Sequence, residues 1–256
     1  MKCSRRNFLK KGLSGAVAAG LPLAAFKFLS PAEARAAVKD ANLRWGFLVD
    51  TRKCVGCGMC VKACKKENEV PYDAPVTRTW VERYVVTSDG KTHIDSPMGG
   101  RDGFTSKKIR EEVIDDKDIT KAFFVPKLCN QCENPPCVQV CPVGASYQSP
   151  EGITLVERTW CIGCGYCIMA CPYGVRFFHP KYKVAEKCTF CYHRIMKGMK
   201  TACVDACPFG ARQIGNLKDK NDPVTHTILT ERVAVLKDEY GTKPQVFYLG
   251  LDERVR

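Results

Sequence analysis

Seventeen cysteines in 256 residues are far more than a chain of this length needs in order to fold, and sixteen of them fall into four groups of four. The first group is Cys54, Cys57, Cys60 and Cys64, spaced C-x2-C-x2-C-x3-C. The third, Cys161, Cys164, Cys167 and Cys171, repeats that spacing and is followed by Pro172. In the second, Cys129, Cys132, Cys137 and Cys141, the middle gap holds Pro135 and Pro136, and Pro142 follows. The fourth, Cys188, Cys191, Cys203 and Cys207, opens the middle gap to eleven residues and ends on Pro208. Cys3 is left over near the N-terminus.

Three thiolates on one tight loop can meet three irons of a single [4Fe-4S] cube, while a cysteine on the following helical turn projects toward a neighbouring cube. This is the spacing of bacterial two-cluster ferredoxins. All sixteen grouped cysteines therefore read as iron ligands of four [4Fe-4S] clusters. Gly56, Gly58, Gly163 and Gly165 suit loops that must approach a cube and take positive φ. The first group has Lys65 where the others have proline, which alters the turn without removing a ligand. Structural zinc uses separated C-x2-C pairs or Cys/His mixtures, and neither it nor a disulfide framework requires this regularity. Tyr192 between Cys191 and His193 breaks the C-x2-C-H pattern of haem attachment. His93, His179, His193 and His226 share no spacing and read as surface or hydrogen-bonding residues. No nucleophile elbow, P-loop or dinucleotide fingerprint accompanies them, so no catalytic residue is expected.

Over residues 44–215 the sequence resembles the four-cluster iron–sulfur subunits that accompany molybdopterin oxidoreductases and related quinone-linked complexes, including dimethyl sulfoxide, polysulfide, tetrathionate and cytochrome nitrite reductase systems. The resemblance implies a nested pairing of groups, first with fourth and second with third. One cluster would take Cys54, Cys57, Cys60 and Cys207, and its neighbour Cys188, Cys191, Cys203 and Cys64. In the other module Cys129, Cys132, Cys137 and Cys171 would hold one cube, and Cys161, Cys164, Cys167 and Cys141 the other. Spacing alone leaves a sequential pairing open. The implied function is relay of single electrons between a quinone-reactive integral membrane subunit and an extracytoplasmic molybdopterin catalytic subunit or multihaem cytochrome. A free periplasmic polyferredoxin shuttle is the alternative.

The loops need elements to carry them. Trp45–Asp50 and the stretches 122–125 and 153–156 read as strands delivering the first three groups, and 61–68, 138–140 and 168–170 as helical turns carrying fourth cysteines. Strand, cysteine loop and short helix, repeated, predict an α+β fold of two bacterial two-cluster ferredoxin-like modules. The first module would comprise 37–71 and 185–215, and the second 122–184. An insertion at 72–121 would hold a strand at Thr79–Thr87, a turn at Asp89-Gly90 and a polar loop at 97–118, as surface decoration or as a docking arm. In a C-terminal extension, 216–256, the apolar run 245–249 could add a strand or cover a partner, and docking is the role expected.

Residues 1–36 resemble a twin-arginine signal peptide: Arg5-Arg6 and a basic start lead into an Ala/Gly-rich apolar stretch, with Ala34-Arg35-Ala36 as a cleavage site before Ala37. Ala32-Glu33-Ala34 is a second site, and an uncleaved anchor the competing reading. The family of such signals carries proteins already loaded with cofactor, which predicts a periplasmic protein, or one on the outer face of the cytoplasmic membrane, associated with it through partners. The net charge of +13 falls to +7 without the net +6 of residues 1–36. Four clusters at about −2 each, thiolates included, bring it near −1, so the basic excess is compensation for anionic cofactors and no nucleic-acid partner is expected. Lys53, Lys62, Lys65 and Lys66 should raise the potential of the first cluster, and Trp160, Ile162, Tyr166, Ile168 and Met169 should desolvate the third and lower it.

Overall fold

The computed structural model describes residues 42–105, 108–109 and 112–255; the segment read as an export signal lies outside them. Strand β1 (Trp45–Asp50) is buried on both faces, as its unbroken run Phe47-Leu48-Val49 requires. It ends at Asp50, whose carboxylate accepts the Arg52 backbone N–H and turns the chain toward Cys54. Helix α1 (Met59–Glu67) follows, burying Cys60, Val61, Cys64 and Lys65 on one face.

In the segment read as an insertion, β2 (Thr79–Thr87) and β3 (Thr92–Asp95) form an antiparallel hairpin around Asp89-Gly90. The stretch 97–118 is more than a polar loop: it holds two 3-10 turns and a small ribbon of β4 (Lys108–Ile109) and β5 (Glu112–Val113). Strand β6 (Ile119–Leu128) outruns the expected 122–125 because β2 pairs along it from Thr79↔Leu128 to Thr87↔Ile119.

Around the second and third groups the elements are minimal. Helices α2 (Pro136–Gln139) and α3 (Tyr166–Met169) are four residues long, since a C-x3-C turn needs no more and the proline that follows cannot continue the helical bonding. Strand β7 (Ser146–Gln148) pairs with β8 (Thr154–Val156), and β9 (Phe177–Phe178) with β10 (Ala185–Glu186), as two-stranded ribbons.

The fourth group is carried by α4 (Tyr192–Ile195) and α5 (Ala202–Asp205), and β11 (Arg212–Asn216) leaves it to pair antiparallel with β1. Helix α6 (Pro223–Thr230), capped by the Asp222 carboxylate, lies so close to β11 that a Cβ on Gly215 would stand 2.2 Å from that carboxylate. Strands β12 (Val233–Ala234) and β13 (Val246–Leu249) complete a sheet of order β11-β1-β13-β12, with β13 parallel to β1. Of the two roles open to the run 245–249, the structure shows the added strand: Val246, Tyr248 and Leu249 are buried in the sheet and serve the core. The main core joins Phe47 and Val49 to Val81, Tyr84, Leu128, Ile153 and Phe190. No helix among the described residues is long and apolar enough to cross a membrane.

Candidate functional site

All sixteen grouped cysteines carry free thiols. In each group the residue just before the second cysteine has positive φ: Gly56 at 70°, Gln131 at 47°, Gly163 at 70° and Phe190 at 51°. Glycine supplies that backbone freely in groups one and three, as expected, whereas groups two and four hold an L side chain there at a cost of about 1–2 kcal/mol. The common bend is what lets both thiols of a C-x2-C pair face one side of the loop.

The thiols gather across groups. Cys54, Cys57, Cys60 and Cys207 line one cavity, with Arg212 in its wall. Cys64, Cys188, Cys191 and Cys203 line a second, and Cys141, Cys161, Cys164 and Cys167 a third. Cys132 and Cys137 each have Cys129 and Cys171 as electrostatic neighbours, which gathers the remaining four. Sets also adjoin one another: Cys60 feels Cys203, and Cys188 feels Cys129. Cys57 and Cys164 are exposed, while Cys64, Cys188, Cys191 and Cys203 are all buried.

Burial dominates the thiol chemistry. It raises Cys54 to about 11 and both Cys132 and Cys188 to about 12, and lifts Cys64 well above the ordinary thiol value. Thiols so disposed stay protonated until something positive takes the proton's place. Polar groups are already directed at the sulfurs: the Ser146 and Ala185 N–H groups donate to Cys141 and Cys161 Sγ at 3.4 Å, and Phe190 N–H to Cys188 Sγ at 3.4 Å. Asn68 Nδ2 donates to Cys64 Sγ at 3.5 Å, and Arg176 Nη2 to Cys137 Sγ at 3.0 Å.

The sequence reading missed the buried cations. Arg212, Arg176 and Lys187 are 2%, 4% and 0% exposed. Burial works against the Arg212 charge, yet Cys60, Cys203 and Cys54 outweigh it and its pKa ends above the ordinary value. The same contest at Arg176 is won by Cys137, Cys167 and Cys129. A signal existed: Cys171-Pro172-Tyr173-Gly174-Val175-Arg176 and Cys207-Pro208-Phe209-Gly210-Ala211-Arg212 are one repeat, and the second group has Ser146 in the arginine's place.

Of the surface residues expected to tune potentials, Lys53 lines the first cavity and Ile162 the third. Lys53 and Lys62 are about half exposed and paired with Asp50 and Asp102, while Lys65 is buried but gives its ammonium to the carbonyls of Pro71, Ala74 and Val76. Ile162, Tyr166 and Met169 are 66%, 55% and 77% exposed and ring the third group, while Ile168 packs against the cluster of Cys137, Cys167 and Ala185. His179 is fully buried and structural: Nδ1 accepts the Lys181 and Tyr182 N–H groups and Nε2 faces the Glu69 carbonyl.

The donor set fits a polynuclear, anionic group. No three His, Cys, Asp or Glu side chains among the described residues converge as tightly as a single ion requires, whereas four thiols surround each of the three cavities. Arg176 Nε and Nη1 and Arg212 Nη2 are buried with no protein partner, and such cations need a counter-charge.

Comparison with known proteins agrees. Residues 50–145 and 120–217 match 4Fe-4S dicluster domains, which gives the chain four [4Fe-4S] clusters. A tetrathionate reductase subunit of Salmonella typhimurium is 38% identical over 99% of this chain and 90% of its own length. A tetrathionate reductase subunit of Archaeoglobus fulgidus is 41% identical over 81% of this chain and 83% of its own. A putative dimethyl sulfoxide reductase iron-sulfur subunit of Halobacterium salinarum is 35% identical over 80% and 79%.

Proposed function

The chain belongs to the 4Fe-4S dicluster iron–sulfur subunits of reductase complexes, and on that premise we propose that single electrons cross it along four clusters set in one row. Each cluster, when bound, takes up one electron and returns it with little rearrangement. The first is held by Cys54, Cys57, Cys60 and Cys207, and the second by Cys64, Cys188, Cys191 and Cys203. The third is held by Cys129, Cys132, Cys137 and Cys171, and the fourth by Cys141, Cys161, Cys164 and Cys167. What carries this reading is that the thiols of three of these mixed sets line one cavity each, and not group by group.

The order of the row follows from the neighbours already described, Cys60 with Cys203, Cys188 with Cys129, and Arg176 between Cys137 and Cys167. The chain's own residues bury seven of the eight thiols of the two middle sets, Cys171 being partly buried, and leave Cys57 and Cys164, one in each outer set, at the surface. A partner's redox group has its closest approach at those ends.

Relatives named as subunits of tetrathionate reductases support an assembly in which this chain is a fixed member. A molybdopterin catalytic subunit or multihaem cytochrome takes one end and a quinone-reactive membrane subunit the other, on the outer face of the cytoplasmic membrane or in the periplasm.

Paired serine variants test the ligand sets. Cys207→Ser and Cys54→Ser should alter the same EPR signal, and Cys64→Ser the signal altered by Cys188→Ser; a shared effect of Cys64→Ser and Cys54→Ser would establish group-by-group ligation. Anaerobic purification should bring down a membrane protein and a catalytic or cytochrome subunit, with sixteen irons per copy of this chain, whereas loaded chain recovered alone would point to a free shuttle. Arg5→Lys with Arg6→Lys should hold the protein in the cytoplasm.

A further inference from the structure

We propose that three buried cations, Arg212, Lys187 and Arg176, stand one at each junction of the row and raise the potentials of the clusters on both sides. The assignment of junctions rests on the ligand sets just proposed.

Arg212 shares a wall with Cys54, Cys57, Cys60 and Cys207, and the thiols acting most strongly on it are Cys60 of the first set and Cys203 of the second. Its guanidinium is held from behind: Nη1 donates to Thr79 Oγ1 at 2.9 Å, and that hydroxyl donates to the Lys127 carbonyl at 2.6 Å. Nη2 is left buried and without a protein partner. Arg176 repeats the arrangement in the second module. Nη2 binds Cys137 Sγ of the third set and Ser146 Oγ, the strongest remaining thiol influence is Cys167 of the fourth, and Nε and Nη1 are unpartnered. In both modules the arginine thus stands between the third cysteine of one group and the third of the other. Lys187 lies between modules: its ammonium donates to the carbonyls of Cys188, in the second set, and Thr154, and it acts on Cys137 of the third.

Uptake of one electron takes a thiolate-ligated cluster from about −2 to −3 with no bond broken and no proton required. A fixed positive charge in a water-poor interior favours the more negative form and is little screened by salt. One cation shared by two clusters therefore eases reduction of both. It also leaves neither cluster a deep trap relative to the other, which suits a row that must pass the electron on. Exposed lysines such as Lys53 lack this leverage because water and Asp50 already answer their charge.

EPR-monitored redox titration of the loaded protein tests this. Arg212→Gln should lower two of four midpoints, those of the clusters altered by Cys54→Ser and Cys64→Ser, and leave two in place. Arg176→Gln should lower the other two, and Lys187→Gln the middle pair. Arg212→Lys, which keeps the charge, should hold all four. Arg212→Gln protein that retains sixteen irons with four unmoved midpoints, or with all four moved alike, overturns the proposal. Should that variant lose iron, Arg176→Gln and Lys187→Gln carry the same test, and absence of a pairwise shift in whichever loads overturns it. A pairwise shift in clusters with other ligands would uphold the charge effect and overturn the ligand sets instead.

Discussion

The two ferredoxin-like modules hold the same number of thiols in different ways. The module of groups one and four is framed by a four-stranded sheet, a nine-residue helix and a helix packed on the sheet's outer side. Beyond β6, which is held by β2, the module of groups two and three has ribbons of two or three residues a strand and helices of one turn, and its separate apolar cluster is Cys137, Cys167 and Ala185. Single helical turns and isolated two-stranded ribbons do not persist in water. In the first module the polypeptide makes a frame and the clusters sit in it. In the second the clusters are a large part of the frame.

Removing iron should break that comparison open. Anaerobic chelation is expected to abolish amide protection in β7, β8, α2 and α3 while β1, β11 and β13 stay protected from hydrogen exchange; equal loss in both modules would refute the contrast. A smaller effect is expected where the modules meet. Arg78 and Arg158 both bind Glu186, at 3.0 and 2.9 Å, and Arg78 and Glu186 are buried. Glu186→Gln should lower stability by about 3 kcal/mol, read from the denaturant midpoint of loaded protein. Burial pushes the Glu186 carboxyl up, but Arg78, the Lys187 N–H and Arg158 outweigh it and hold its pKa below the ordinary value. Its contribution is therefore complete above the usual carboxylate range and lost as pH falls through the depressed pKa, where parent and variant should converge.

Equivalent glycines sharpen the contrast further. Gly58 and Gly165 cap α1 and α3 at φ 74° and 79°, yet a Cβ on Gly58 would lie 2.3 Å from the carbonyl oxygens of Gly100 and Arg101, while one on Gly165 would meet only the Phe178 ring at 3.3 Å. Gly58→Ala should cost about 3 kcal/mol and Gly165→Ala about 1–2, in the same denaturant measurement. The smallest effect is expected at Lys53: Lys53→Gln should leave all four midpoints where they are, and a displaced midpoint would restore the surface charge to a tuning role.

Much of the site was legible because cluster ligation constrains covalent spacing. The cysteine groups, the glycine bends, β1 and β2 all follow from local pattern. The non-glycine bends at Gln131 and Phe190 were hidden, since tertiary packing and not residue type holds them there. Spacing also left the mixing of groups open, because it depends on distant segments meeting; only the family resemblance implied it. Arg176 and Arg212 were visible as a repeat but not as buried charges, because a lone arginine in a sequence gives no sign of whether it faces water. The run 245–249 showed a strand; its place between β1 and β12 depends on a parallel pairing across nearly the whole chain.

The pairing of β1 with β11 also imposes an order in time. The Arg44 backbone N–H donates to Asn216 Oδ1 at 2.9 Å across 172 residues. At a ribosome's pace that interval takes roughly ten to thirty seconds, during which groups two and three are already complete in one continuous stretch. The thiols of group one, made first, must wait reduced and uncovered for the last group to arrive, so the first cysteine group to be synthesised is among the last to be closed.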